Sequence, residues 1–325
     1  MKLYSQKFIQ DYQVVMAPMG EIAGFQVRPG MFDVNGAMAL PTGVNFTVHT
    51  HYGTSCELLL FHKGEEEPYA VLPFPEAYKI GDVYSMIVFG LKIEEFEYAY
   101  RVDGPNKPEK GLIFDKNKIL LDPYARAVTK QRFWGEKKTS FYRARVVNDL
   151  FDWGDMPQSK REMSDLVIYE LHVRGFTNDP SSGVKHRGTF AGLKEKIPYL
   201  KELGINAVEL MPIFEFDETV TAREVDGEML LDYWGYNTVG FFAPNSSYAA
   251  ADEYNREGTE LKELIREYEK ITQGVFLIVK GADYHGEESP CPSVSLGGSK
   301  ASSWQQETED TNPVQSEKLC PGVCL

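Results

Sequence analysis

The chain has no stretch approaching the roughly 18 consecutive apolar residues that a membrane helix requires, so a membrane is not an expected partner. Positive charge is short: 34 Lys and Arg stand against 48 Asp and Glu, a formal net charge of −14. Such a surface repels phosphate backbones and anionic lipid, which argues against nucleic acid and leaves neutral or small substrates open. The first residues, MKLYSQKFIQDYQ, lack the apolar core of a secretory signal, so a cytoplasmic location is the default expectation. Cysteine is scarce as well, with Cys56, Cys291, Cys320 and Cys324 the full set. They form no CxxC pair and no regular framework, so a disulfide scaffold is not expected. A zinc site built from His285 and the three late cysteines would need a more regular spacing than this. No oxygen-rich loop has calcium-binding spacing, and no cofactor is called for.

What remains is an ordinary globular balance. The 325 residues are 42% hydrophobic and 25% charged, enough to bury a sizeable core and to build about two domains. Aromatic residues make up 13%. Stacking on sugar rings would use such a surplus, and so would a β-rich core.

The first part of the chain reads as β. VNFTVHTH (Val44–His51) alternates, and CELLLFH (Cys56–His62), VYSMIVFGL (Val83–Leu91) and FEYAYRVDGP (Phe96–Pro105) follow with Gly and Pro between them. Runs of β-branched and aromatic residues at this spacing predict a small antiparallel sandwich. No helical period is visible before about residue 160.

From Ser164 the texture changes. LVIYELHV (Leu166–Val173), INAVELMPIF (Ile205–Phe214) and GVFLIV (Gly274–Val279) are nearly continuous apolar runs, as in strands buried on both faces. Between the first two, Phe190, Leu193, Ile197, Leu200 and Leu203 recur at helical spacing, with Thr189 as N-cap and Gly204 as C-cap. Pro198 should kink or restart that helix, because it lacks an N–H. A long loop runs through LDYWGYNTVGFFAPNSSYAA. GTELKELIREYEK (Gly258–Lys270) then predicts a second helix, capped by Thr259 and burying Leu261, Leu264 and Ile265. Strand and helix in alternation mean parallel βαβ units. After Lys280 the chain is dense in Ser, Gly, Pro, Glu and Gln, with no hydrophobic period, and reads as a disordered tail.

Five of these segments resemble one family. YRVDGP (Tyr100–Pro105) and ILLDPYARAV (Ile119–Val128) are similar to the end of the N-terminal sandwich of isoamylases and glycogen debranching enzymes, the sandwich classed as carbohydrate-binding module family 48. YELHVRGFT (Tyr169–Thr177), GTFAGLKEKIPYLKELGINAVELMPIFEFDE (Gly188–Glu218) and YWGYNTVGFFAPNSSYA (Tyr233–Ala249) resemble the first strand, the first helix with the second strand, and the following loop of their (β/α)8 barrel. The family is glycoside hydrolase family 13. The resemblance implies a multidomain β plus α/β fold: an immunoglobulin-like β-sandwich over 1–130, a connecting segment over 131–163, an incomplete (β/α)8 TIM barrel over 164–280, and the tail over 281–325. It implies retaining hydrolysis of the α-1,6 branch points of an α-glucan such as glycogen, limit dextrin or starch, by two carboxylates about 5–5.5 Å apart.

In that family the nucleophilic Asp, the acid Glu and a third Asp follow the fourth, fifth and seventh strands, beyond the last segment that matches. The third strand also departs from the pattern. It should lead into Asp-Val-Val-x-Asn-His, but the chain reads FLIVKGADYH (Phe276–His285). Ile278 stands where Asp is expected, and His285 comes late. The expectation is therefore a truncated chain with no catalytic residues, inactive and ended by a frameshift or aberrant tail. The alternative is a non-catalytic glucan-binding protein that uses its sandwich. A (β/α)8 barrel takes about 250 residues, so three strands would leave an unpaired edge and marginal stability.

By the same resemblance Tyr236 is the aromatic that stacks on the sugar beside the scissile bond, with Trp234, Asn237 and Asp232 completing the substrate-binding loop, more as its scaffold than as contacts. His172 on the first strand, beside Glu170 and Arg174, reads as a satisfied core residue. Glu209 and Glu215 at the end of the second strand read as salt-bridged. Trp134, Phe151 and Trp153 are either surface aromatics for glucan or an interdomain core.

Overall fold

The computed structural model describes residues 16–129, 134–136, 141–148, 150–155, 161–272, 275–278 and 294–295. Its first part is a two-sheet sandwich. β1 (Gly20–Ile22), β2 (Phe25–Pro29), β3 (Gly36–Leu40), β4 (Gly43–His49), β7 (Lys79–Ile80) and β8 (Val83–Phe89) share one sheet, with the order β1-β2-β8-β4-β3 and β7 pairing β8. β5 (Ser55–His62), β6 (Pro68–Pro73) and β9 (Phe96–Asp103) form the other, with β5 in the centre. All the pairings are antiparallel. The four strands expected from alternation are β4, β5, β8 and β9. The period of two delivers the core directly: Val44, Phe46 and Val48 from β4, Cys56, Leu58 and Leu60 from β5, Tyr84, Met86 and Val88 from β8, and Phe96, Tyr98, Tyr100 and Val102 from β9 meet in one buried cluster.

Both sheets are also covered on the outside. Asn45 and Thr47 of β4 and Ser85 of β8 are fully buried yet polar. Asn45 Oδ1 accepts from Met31 N–H at 2.8 Å, and Thr47 Oγ1 donates to Met31 O at 3.1 Å, so the loop after β2 is tied down on that face. On the other sheet, Leu59, Phe61 and Ala99 form a small second core beneath Ile119 and Phe141. A short pair, β10 (Asn106–Lys107) with β11 (Leu112–Ile113), precedes that segment. The chain then runs back over β9 through bridges from Tyr100 to Leu120 and from Tyr98 to Ala144. Asp122, fully buried, accepts from Tyr98 Oη–H at 2.7 Å and from Tyr124 N–H at 2.8 Å.

The second part begins with β12 (Ile168–Leu171), followed by α1 (Val173–Thr177), α2 (Phe190–Glu195) and α3 (Ile197–Glu202). Thr189 caps α2 by accepting from Gly192 N–H at 3.1 Å. Lys196 separates α2 from α3 and Pro198 lies in the first turn of α3, so the proline restarts the helix as expected. Gly204 follows α3 at φ +85° with its N–H on Lys201 O. β13 (Ala207–Leu210) then pairs in parallel with β12. Phe190, Leu193, Ile197 and Leu200 are buried, but Leu203 is exposed, because the helix has ended by that residue.

The stretch expected to be one long loop contains two hairpins. β14 (Phe214–Phe216) pairs with β17 (Thr238–Pro244), and between them β15 (Arg223–Val225) pairs with β16 (Glu228–Leu230). Asp226 and Gly227 at φ +52° and +83° make the turn of the inner hairpin, as the Asp-Gly pair favours. α4 (Arg256–Thr272) starts earlier than its sequence signal, so Thr259 lies inside the helix and donates to Asn255 O instead of capping it. Leu261, Leu264 and Ile265 are buried against α2 and β13 as expected. β18 (Val275–Ile278) adds to β13 in parallel, and β19 (Val294–Ser295) pairs with β18 antiparallel. The remainder of the stretch read as a tail, with His285 and the three late cysteines, lies outside the described residues.

Candidate functional site

Three parallel strands point their carboxyl ends the same way, and residues beyond the ends of β12 and β13 join an aromatic cluster with side chains from other segments. His172 and Arg174 follow β12. Phe214–Phe216 follow β13. Tyr233 and Trp234 arrive from the segment between β16 and β17, Tyr248 follows β17, and Trp134 comes from the segment after the sandwich. The Trp134 ring lies parallel to Tyr248 at 6.1 Å and edge-on to Phe216 at 5.7 Å. The Arg174 guanidinium sits 4.6 Å from the centre of the Trp134 ring. Phe190 packs edge-on to Tyr248 at 5.8 Å, which ties the cluster to α2.

His172 lies at the centre of this arrangement. It caps α1: its Nδ1 accepts from Gly175 N–H at 3.0 Å. Nδ1 is therefore unprotonated, and the ring proton sits on Nε2, which donates to Tyr233 O at 2.7 Å. The Tyr233 ring stacks on the imidazole at 4.3 Å and 13°. His172 is thus a satisfied buried residue, as its place on the strand suggested. Burial lowers its pKa, with Arg174 adding to the effect and the bond to Tyr233 O opposing it. Gly175 completes the fit: a Cβ there would stand 2.0 Å from Tyr233 Oη.

The four substrate-binding candidates lie on the loop this cluster holds. Tyr236 and Trp234 are 39% and 53% exposed, large rings presented to solvent. Trp234 packs edge-on to Tyr233 at 5.2 Å. Asn237 is exposed beside Tyr236. Asp232 turns inward, its Oδ1 accepting from Gly235 N–H at 3.4 Å while its N–H donates to Glu218 O at 2.9 Å. Gly235 is at φ +77°, and a Cβ would lie 2.8 Å from the Phe216 ring, so only glycine turns the loop there.

Behind the loop sits a buried acidic group. Glu215, Asp217 and Glu218 are each at most 1% exposed. The salt bridge expected at Glu215 is absent among the described residues. Its Oε2 instead accepts from Ser246 N–H at 2.8 Å, and its Oε1 has no partner among the described residues. Burial pushes its pKa up to about 8, with the charges of Glu218 and Glu257 adding to it. Glu209 is likewise without an ion pair among the described residues; it stands beside Glu170 across β12 and β13. Of the uncertain aromatics, Trp134 and Trp153 pack against the second core, and Phe151 packs edge-on to Trp153 at 4.8 Å. Sequence reasoning missed the joint role of Trp134, Tyr233 and Tyr248, which are far apart in the chain and carry no common pattern.

Comparison with known proteins finds relatives for most of this chain. Residues 34–125 match the family model of carbohydrate-binding module 48, the isoamylase N-terminal domain. The chain is 38% identical over 262 residues to the chloroplastic isoamylase 3 of Oryza sativa subsp. japonica, a match over 75% of this chain and 33% of that protein. It is 30% identical over 291 residues to the glycogen debranching enzyme of Serratia proteamaculans (strain 568), over 84% of this chain and 42% of that one. It is thus homologous to isoamylases and glycogen debranching enzymes and spans about a third to two fifths of their length. The crystal structure of the GBS pullulanase SAP in complex with maltotetraose has the same fold over 76% of this chain and 33% of its own, with a TM-score of 0.60 and 24% identity.

Proposed function

We propose that this chain is a glucan-binding portion of a debranching-type glycoside hydrolase, a carbohydrate-binding module 48 joined to the start of a (β/α)8 barrel, and that the Tyr233–Asn237 loop receives an α-glucan. The division is 1–130 for the sandwich, 131–163 for the connection, 164–280 for the barrel strands and 281–325 for the tail. One observation carries the reading: Trp234 and Tyr236 stand exposed at the carboxyl ends of parallel strands, on a loop held from beneath by a packed aromatic cluster. In barrel enzymes that end of the strands forms the site. An aromatic face buries the C–H surface of a sugar ring and leaves its hydroxyls in water. Tyr236 supplies that face, Trp234 and Asn237 flank it, and Asp232 shapes the turn.

These 325 residues bind and do not cleave. The sequence supports this: Ile278 stands where the resemblance expects the Asp of the sugar-contacting motif. In glycogen-containing native gels the chain should be retarded, and Tyr236→Ala should restore most of the mobility. Equal mobility with and without glycogen would overturn the reading. A reducing-sugar assay on glycogen should stay at the buffer level.

A second reading places the glucan on the sandwich alone. A polar cleft of about 280 Å³ lined by Ser55, Glu57, Arg101, Asp103, Lys116 and Asn117 lies at the ends of β5 and β9. Glu57 and Arg101 pair across it at 3.0 Å. Retardation that survives Tyr236→Ala but is lost in Arg101→Ala would select this reading.

A further inference from the structure

We propose that His172 is a positioning residue that latches the Tyr233–Asn237 loop in its solvent-facing conformation, and that the latch holds only while the imidazole is neutral with its proton on Nε2. The geometry demands two opposite roles of one ring. Nδ1 must accept, because it faces the Gly175 N–H at 3.0 Å. Nε2 must donate, because it faces the Tyr233 carbonyl at 2.7 Å. Only the Nε2–H tautomer meets both demands. A second proton would put an N–H on Nδ1 against the N–H of Gly175, and two donors at that distance repel.

The surroundings leave nothing to offset that proton. From α1, Arg174 adds a positive charge that acts on His172. From the loop, Tyr233 offers its stacked ring and its carbonyl. From the segment after β17, the Tyr248 hydroxyl lies 3.3 Å from Nε2. The charge of Glu218 acts on the neighbours Arg174 and Tyr248. No carboxylate among the described residues bonds the imidazole. Burial disfavours the charged ring for the same reason.

The consequence is a pH-dependent loop. The closed loop lowers the pKa of His172, so the open loop binds the proton more readily. Closure is fully favoured above the ordinary histidine value of about 6.5. It weakens as pH falls through that value and stops weakening once the closed form is protonated too. The loop carries Trp234 and Tyr236, so on the glucan-binding reading above the latch also sets glucan affinity at mildly acidic pH.

The test is amide hydrogen exchange by mass spectrometry on the full chain, corrected for intrinsic rates, at pH 7.5 and pH 5.5. The amides of 232–237 in the unaltered chain should lose protection by about tenfold or more at the lower pH, while β4 and β8 keep theirs. His172→Asn retains an N-cap acceptor for Gly175 N–H but cannot reach Tyr233 O. It should expose the same amides at both pH values and abolish the pH difference. Unchanged protection of 232–237 in the unaltered chain across the two pH values would overturn the latch, and that arm needs no variant. Maltotetraose binding, followed by tryptophan fluorescence, separates the two readings. Loss of binding alongside loss of protection supports both. Binding indifferent to a loop whose exchange has changed supports the latch and overturns the sugar role of Tyr236.

Discussion

The Arg145 guanidinium, in the segment that leaves the sandwich, pairs with the Glu257 carboxylate at the start of α4, and both side chains are buried. Arg145 also donates from Nε to Val128 O at 3.0 Å. The contact joins the two parts of the molecule through charges that are both out of solvent. Removing one partner of a buried pair typically costs about 3–5 kcal/mol, because the other charge is stranded. Arg145→Ala should therefore lower the urea midpoint strongly. The double replacement Arg145→Met with Glu257→Leu should recover most of it, since no buried charge is then left unpaired and only the bond to Val128 O is lost. A double variant as unstable as Arg145→Ala would mean that packing, not the stranded charge, sets the cost.

Glu215 makes a prediction of the opposite kind. Burial raises its pKa to about 8 from an ordinary carboxyl value of 4.5. Between those values the folded chain holds a proton that the unfolded chain has released. Stability is fully present below the lower value, falls as pH rises through the window, and levels off above about 8. The slope for one such group is about 1.4 kcal/mol per pH unit. Glu215→Gln removes the titration, so its unfolding free energy should vary less steeply from pH 5 to pH 8 by roughly that amount. Parallel curves for the two proteins would show that Glu215 is ionised in the fold.

Thr189 tests the local code for α2. Its hydroxyl accepts from Gly192 N–H and donates to His186 O at 2.8 Å. Thr189→Ala should cost about 1 kcal/mol by chemical denaturation, and Thr189→Ser much less.

The sandwich was legible because one physical rule suffices for it. β4, β5, β8 and β9 alternate, and the same residues that alternate are those buried between the sheets. The parallel strands and their helices were legible for a similar reason: Phe190, Leu193, Ile197 and Leu200 satisfy one period and one core. Where two demands meet on one residue, the sequence pattern does not decide between them. Thr259 carries the chemistry of a cap, yet α4 begins at Arg256. Glu215 is an ionisable residue at a strand end, yet it is buried without a cation among the described residues. The inner hairpin at Asp226–Gly227 did have a signal, an Asp-Gly pair between Arg223–Val225 and Glu228–Leu230, masked by the long polar stretch around it. The aromatic cluster had none. Trp134, His172, Tyr233 and Tyr248 are brought together by tertiary packing alone.

Gly175 separates the needs of the fold from those of the loop. It sits in the middle of α1, where alanine would favour the helix by about 0.5–1 kcal/mol over glycine. A Cβ there would lie 2.0 Å from Tyr233 Oη, so the Tyr233 ring would have to leave His172. Gly175→Ala should thus keep or slightly raise the thermal midpoint while it weakens glycogen retardation by about tenfold, equivalent to about 1.4 kcal/mol of binding. A variant that unfolds would place the Tyr233 ring in the core's stability. A variant that binds normally would show that the ring moves without consequence, and that the loop needs neither the stack nor the glycine beneath it.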